Sequence, residues 1–265
     1  MILKDIKQYT KSLKENFKTR INKEDPPQLA IIQVGDVEAS NRYVKNKIKD
    51  CEEIGIIAHR YWFNENITEN ELIEEITDLQ DYYDGIIVQL PLPPHIRPES
   101  ATAAIYKNKD VDGFKYDSEF ISATPKGIFD YLDYCGFEWE GAHVVVIGRS
   151  DIVGKPMAQG ATDRNATVTL CHSKTKNLDK HLKDADLIVS AVGKAKFLNC
   201  YPIYCPVVDV GINFDENGKM CGDCYNTENR DVTPVPGGVG LLTRCALLEN
   251  VILAKEKGGN EDAKK

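Results

Sequence analysis

Apolar residues recur at helical spacing along the first stretch of the chain, at Ile2, Ile6, Tyr9, Leu13, Phe17 and Ile21. They then close up into QLAIIQV (28–34), which reads as a buried strand. In ASNRYVKNKIKDCEEIGI (39–56), Val44, Ile48 and Cys51 form one stripe, so the spacing predicts a helix with Ser40 as its N-cap and Gly55 as its stop. Tyr43 and Lys47 are four residues apart and stack beside that stripe, whereas Lys45 and Lys49 point away. A phenol and an ammonium at the edge of a core can line a cleft, although a Tyr and a Lys there also serve plain packing and solvation. The alternation then repeats, with a strand at IAHRYWF (57–63), a capped helix at TENELIEEITDLQ (68–80) and a strand at DGIIVQL (84–90). That is the βαβ rhythm of a parallel sheet. LPLPP (90–94) interrupts it, because its Pro residues exclude both ladder and helix.

After KDVDGF (109–114) the pattern is loop-like until TPKGIFDYLDYCG (124–136), a helix with Pro125 at its first position and Gly136 past its end. A second α/β series follows: strands at 143–148, 166–171, 187–193 and 206–212, with helices from about Lys155 and near 177–184. LLTRCALLENVILAKEK (241–257) is an amphipathic helix, and the charged tail 258–265 is expected to be disordered. The fold class expected is therefore two-domain α/β: 1–120 forms a first domain completed by helix 241–257, and 121–240 forms a doubly wound, Rossmann-type nucleotide-binding domain.

At 265 residues and 42% hydrophobic, the chain can build real cores. Its net charge of -8 argues against a nucleic acid or an anionic membrane as the main partner, so any anionic ligand must be met by local groups. The apolar runs are strand-sized and the first residues are too charged for a signal peptide or membrane span, which points to the cytoplasm. Eight Cys then read as reduced thiols. Cys221 and Cys224 form a C-x-x-C with Cys200 and Cys205 shortly before, but the spacing is loose and thiols in core and loops are the better reading than a metal site.

VVVIGRSDIVGKP puts Gly148, Ser150 and Gly154 between a strand and a helix, where small residues let backbone N–H groups and a helix N-terminus approach a pyrophosphate. Ser150 holds the place of the middle glycine, and such turns also occur for packing alone. The next strand ends in TLCHSKT, without the acid that NAD sites usually carry there. Arg149, Ser173 and Lys174 offer donors and positive charge for a 2′-phosphate, so NADP is expected, with NAD as the alternative.

ASNRYVKNK, VQLPLP, KDVDGF, GRSDIVGKPMA, NATVTLCHSKT, VVDVGIN and TPVPGGVG occur in the order and spacing of one family, across nearly the whole chain. The sequence resembles the bifunctional methylenetetrahydrofolate dehydrogenase/methenyltetrahydrofolate cyclohydrolases, the FolD type. The resemblance implies a folate domain and a Rossmann domain around a cleft, a homodimer formed through the Rossmann domain, and a place in one-carbon metabolism. On the matching positions, Tyr43 would stack on the folate ring and Lys47 would be the catalytic lysine, oriented by a hydrogen bond with Gln89. Asp112 would hold the pterin, and the loop from Pro236 through Gly237 and Gly238 to Gly240 would close over the substrate. Gly148, Arg149, Ser150, Gly154, Ser173, Lys174 and Ile212 would bind the dinucleotide.

These residue types suit that chemistry. Removing a hydride from the methylene carbon between two nitrogens leaves a delocalised cation, so the protein mainly needs to hold the two reactants face to face. Adding water to that cation requires proton management near neutral pH, which a lysine can supply if its partner is an uncharged Gln89 rather than a carboxylate. Two departures from the family pattern stand out: PGGVGLLT, where the family reads PGGVGPMT, and Gly160 in the helix after the glycine turn. Both predict a less rigid Rossmann half or weaker dinucleotide binding. Alanine at 123, in place of the family's usual Cys, is expected to be harmless. Other readings left open are a member with one activity, and a folate- or nucleotide-binding protein without turnover.

Overall fold

The computed structural model describes residues 2–224 and 231–262. The chain divides into two compact units, one of residues 12–123 and 244–265 and the other of residues 1–11 and 124–243. The sequence reading placed residues 1–11 with the first domain, but they pack in the second unit. There the Leu3 N–H donates to the Asp231 carboxylate (2.9 Å), and the buried Tyr131 hydroxyl donates to the Lys4 carbonyl (2.6 Å). A helical stripe shows that a segment has a buried face, not which core receives it.

The first unit is built on a three-stranded parallel sheet of order β2-β1-β3, with β1 at Gln28–Val34, β2 at Ile57–Phe63 and β3 at Gly85–Val88. Strand β1 is buried on both faces, as expected for the centre of a parallel sheet. Leu29 and Ile31 join Phe17 of α1 (Ile6–Arg20), Val44 of α2 (Glu38–Ile54), and Cys245, Leu248, Val251 and Ile252 of the last helix, Val239–Asp262. Ala30 and Ile32 face the other way, toward Leu72 and Ile76 of α3 (Glu69–Leu79). A short helix α4 (Pro98–Ala103), not foreseen in the sequence, follows the proline-rich segment. Asp50, 2% exposed, ties three helices of this unit together: its carboxylate accepts from Lys14 (2.8 Å) and from both the Nε and the Nη2 of Arg244.

Helix α2 starts earlier than its sequence suggests. Val37 is the N-cap, with no side-chain cap bond, and Ser40 lies buried within the first turn instead of capping it. Gly55 does end the helix, at φ 97°, with its N–H reaching back to the Cys51 and Glu52 carbonyls. Helix α3 carries the full capping box, Thr68 with Glu71.

The second unit follows α5 (Ala123–Cys135) with β4 (His143–Ile147), α6 (Gly154–Thr162), β5 (Thr167–Cys171), α7 (Leu178–Leu182), β6 (Leu187–Ser190), a 3-10 turn (Phe197–Cys200) and β7 (Val207–Asp209). All four strands are parallel, in the order β5-β4-β6-β7. A two-residue hairpin, β8 (Asn213–Phe214) with β9 (Met220–Cys221), was not foreseen. Strands β6 and β7 each stop three residues before the expected ends at 193 and 212: the Ala191 and Val210 N–H groups still reach the Ile147 and Ser190 carbonyls, and beyond them the Val192, Gly193 and Gly211 N–H groups turn to buried carboxylates described below. The last helix, α8 (Val239–Asp262), extends past the expected end at 257 into the supposed tail; residues 263–265 lie outside the described residues. Among the described residues no helix is long and apolar enough to cross a membrane.

Candidate active site

In open parallel sheets, ligands bind beyond the carboxyl ends of strands where the strand order reverses. In the three-stranded unit that point lies between β1 and β3, and the residues singled out in the sequence gather near it. Helix α2, which follows β1, presents Tyr43, about half exposed, and one turn later Lys47, whose side chain is 18% exposed. Lys47 Nζ lies 3.8 Å from Oδ2 of Asp112. That is an ion pair without a direct hydrogen bond. Of the two acids in KDVDGF, Asp110 is spent on its own loop, accepting the Lys115 N–H (2.7 Å), while Asp112 turns to the lysine. The bend between them and α5 requires Gly113: its φ is +68°, and a Cβ there would meet the Ser122 backbone nitrogen at 2.6 Å.

Burial pushes the Asp112 carboxyl above the usual carboxylate range, the Lys47 charge opposes that shift, and the nearby Asp110 charge adds to it. The expectation of an uncharged partner for Lys47 is corrected here: the group facing it is a carboxylate. Gln89, just past β3, donates its side-chain NH₂ to the Leu90 carbonyl (2.7 Å), and its Oε1 is buried with no hydrogen-bond partner. An acceptor left so costs about 1–3 kcal/mol, so Gln89 is poised to accept from a donor that enters the site.

In the four-stranded unit the reversal lies between β4 and β6. Gly148, at the end of β4, has φ +122°, and a Cβ on it would meet the Ala191 carbonyl oxygen at 2.5 Å. A Cβ on Gly154 would lie 2.9 Å from the Arg149 Cα and overlap the Gly148 carbonyl. The Ser150 hydroxyl accepts from the Val153 (3.3 Å) and Gly154 (3.4 Å) N–H groups, holding the turn closed while its own proton remains to donate. Only glycine fits at 148 and 154, because the chain's own backbone fills the space a Cβ would take, which closes the strand-to-helix turn tightly. Arg149, Ser173 and Lys174 are all exposed beside it, and the Lys174 N–H donates to Nδ1 of His172 (3.1 Å). These residues fit a 2′-phosphorylated dinucleotide. Ile212 is exposed in the loop after β7.

Pro236, Gly237 and Gly238 form the turn entering α8; Gly237 has φ +96°, and a Cβ on Gly238 would overlap the Pro234 carbonyl. Leu241 and Leu242, expected to loosen a loop, belong to the first turn of α8. Leu242 is 1% exposed, and its carbonyl sits so close to Gly127 that a Cβ there would be 2.6 Å away. Of the four cysteines considered for metal, Cys200 is exposed, Cys205 half-buried, and Cys221 and Cys224 buried, and none of them is in a disulfide. Among the described residues no group of three or more His, Cys, Asp or Glu is arranged to hold a metal ion.

Two buried carboxylates were missed. Asp209, 1% exposed, accepts N–H groups from Gly211 (2.9 Å), Asp223 (3.1 Å) and Cys224 (2.7 Å). Asp223, fully buried, accepts from five donors. The signal available was an acid inside the apolar run VVDV.

Residues 4–112 match the model of the tetrahydrofolate dehydrogenase/cyclohydrolase catalytic domain, and residues 122–258 match that of the same family's NAD(P)-binding domain. The chain belongs to the tetrahydrofolate dehydrogenase/cyclohydrolase family. It is 45% identical to the bifunctional protein FolD of Lachnoclostridium phytofermentans, over 86% of this chain and 87% of the relative. The crystal structure of the bifunctional FolD from Campylobacter jejuni superposes with a TM-score of 0.91 at 41% identity, covering 96% of this chain and 98% of that one. The Trypanosoma brucei FolD, solved in complex with NADP cofactor and an inhibitor, gives 0.88 at 28% identity, covering 97% and 98%. Residues 113–121 separate the two matched domain models; the stretch opens on Gly113 and ends just before α5 begins at Ala123.

Proposed function

We propose that this chain oxidises 5,10-methylenetetrahydrofolate to 5,10-methenyltetrahydrofolate with NADP and hydrolyses that product to 10-formyltetrahydrofolate. The observation that carries the reading is the Lys47–Asp112 pair at 3.8 Å, one helical turn from an exposed Tyr43, in a unit that also holds the buried, unpartnered Gln89 oxygen just past β3. Tyr43 offers a flat apolar face for the folate ring to stack on. Asp112 is a carboxylate that can accept from the amino and ring N–H groups of a pterin, and a carboxyl made more basic by burial accepts such donors readily. With the Asp112 oxygens engaged by substrate N–H groups, the Lys47 ammonium, which makes no direct hydrogen bond to that carboxylate, turns to the waiting acceptor on Gln89. A lysine held by a neutral amide releases and regains a proton more easily than one held by a carboxylate, which is what water addition to the methenyl carbon requires.

NADP, when bound, accepts the hydride. Within the four-stranded unit the turn from Gly148 to Gly154 would hold its pyrophosphate, and Arg149, Ser173 and Lys174 would hold its 2′-phosphate; Ile212 would contact the nicotinamide end. We place the protein as a homodimer in the cytoplasm, with a small-molecule folate as substrate and no nucleic acid or membrane as partner.

The test is paired assays on the purified protein: reduced nucleotide from methylenetetrahydrofolate with NADP or NAD, and disappearance of methenyltetrahydrofolate without nucleotide. Both reactions are expected, with NADP preferred. Lys47→Met is expected to lower cyclohydrolase turnover by about 10²-fold or more, the scale of a lost proton-transfer group. A variant retaining full cyclohydrolase activity overturns that role. Arg149→Ala is expected to raise KM for NADP several-fold and leave KM for NAD within about twofold, as the loss of one charged contact to a phosphate would. An unchanged NADP to NAD ratio removes Arg149 from the specificity argument.

A further inference from the structure

Asp223 is buried inside the four-stranded unit, yet its carboxylate is the busiest acceptor at the ligand end of the sheet. Oδ2 accepts from the Ser190 hydroxyl (2.8 Å) and from the N–H groups of Val192 (2.8 Å) and Gly193 (3.4 Å). Oδ1 accepts from the Lys194 N–H (2.9 Å) and the Asn213 side-chain NH₂ (3.1 Å). Gly193 has φ +70°, so three successive N–H groups curl around one point, the concave arrangement that in other proteins captures an anion from solvent. Here the anion is internal. Asp209 repeats the device one strand over: its carboxylate gathers the Gly211, Asp223 and Cys224 N–H groups, and the contact is so close that a Cβ on Gly222 would overlap Oδ2.

What these acids hold is specific. Residues 191–194 follow β6 and residues 210–213 follow β7, at the carboxyl ends of both strands. Ala191, the first residue of the loop pinned by Asp223, is also the residue against which Gly148 of the phosphate-binding turn packs. The loop therefore forms one wall of the crevice between β4 and β6, opposite the turn that would take the pyrophosphate. With its N–H groups consumed by Asp223, that wall offers no competing phosphate site.

We propose that Asp223 is a positioning residue for the dehydrogenase reaction: its carboxylate, with Asp209 behind it, sets the backbone of 191–194 and 211–213 against which the nicotinamide end of the dinucleotide lies. This rests on the NADP reading above. The role acts on the reacting end of the cofactor and leaves the adenosine end, on Arg149, Ser173 and Lys174, untouched.

The experiment compares wild type with Asp223→Asn in three measurements: dehydrogenase kcat and KM for NADP, the affinity for adenosine 2′,5′-bisphosphate as a probe of the adenosine end, and cyclohydrolase turnover, which uses no dinucleotide. The amide keeps the shape but turns an NH₂ toward N–H donors. Dehydrogenase kcat is expected to fall at least tenfold with a raised KM for NADP, while bisphosphate affinity and cyclohydrolase turnover change less than twofold. Unchanged kinetics, or an equal fall in all three quantities, overturns the proposal. If Asp223→Asn does not fold, Asn213→Ala removes one half-buried partner of the same carboxylate and carries the same test: a three- to tenfold loss confined to the dehydrogenase supports the role, and no loss or a uniform loss overturns it. A wild-type protein that binds neither NADP nor the bisphosphate fails the cofactor reading itself, and the proposal falls with it.

Discussion

Two forces act in opposite directions on Asp209. Burial raises the cost of its charge, while three N–H donors favour that charge; burial wins, helped by the Asp223 carboxylate, and the group is pushed up to about 6 from 3.8. A carboxyl whose folded value lies above its unfolded one binds its proton more tightly in the native state. Its contribution to stability is therefore fully present below about pH 4 and is lost as pH rises through about 6. The size is set by about two pH units, on the order of 3 kcal/mol. Asp209→Asn removes this titration, so the stability of wild type relative to the variant should decline between pH 4 and pH 7 in urea unfolding. A difference that stays flat over that range contradicts the shift. Side-chain roles of this kind were hardly legible in the sequence. Tyr43 and Lys47 showed through helical spacing, whereas Asp209 and Asp223 sit 14 residues apart and meet only through the loops they organise. Gln89 is intermediate: its place after a strand was readable, but its bond to the neighbouring Leu90 carbonyl depends on how the proline-rich segment leaves the sheet.

Strands β1 and β2 were read to the residue, one buried and the other largely exposed, and the reading was poorest where a helix end or a strand end depends on a distant acceptor, as at the end of β6. Glycine at 160 is the instructive case. By propensity alone it weakens α6 by about 1 kcal/mol relative to Ala, and the sequence reading took it as a loss of rigidity. In the structure a Cβ on Gly160 would come 2.5 Å from the Phe129 ring, which is 1% exposed on α5. That ring packs against Trp139 (centroids 5.3 Å apart) and under the Arg164 guanidinium (4.1 Å). Glycine here lets α6 approach α5 closely, so the helix cost is set against packing. Gly160→Ala should then destabilise the protein: forcing a methyl into a filled core costs about 1–3 kcal/mol, more than the helix gains. Thermal unfolding of the variant decides this. A raised melting temperature would mean that the ring moves aside and that propensity was the better guide.

At the scale of the molecule, the chain passes between its compact units three times, after residues 11, 123 and 243. No cut of the sequence into contiguous halves therefore contains a complete core. The amphipathic pattern of α8 showed that it must pack on something, but the composition of a stripe does not name its partner. The three-stranded unit depends on that helix: Cys245, Ala246, Leu248, Val251 and Ile252 are each at most 3% exposed within the cluster around Phe17, Leu29 and Val111. At about 1.5–3 kcal/mol for each large apolar side chain, losing them removes an amount on the order of 10 kcal/mol, as much as the whole net stability of a typical domain. The same deletion takes Arg244 from Asp50 and leaves a buried carboxylate with Lys14 alone. A fragment of residues 1–123 should accordingly lack a cooperative unfolding transition, although it carries every residue of the Lys47–Asp112 site. Adding residues 244–262 through a short linker should restore both the transition and binding of a folate analogue. A bare 1–123 fragment that unfolds cooperatively would show that the sheet and α2 suffice, and that α8 covers a core already stable without it.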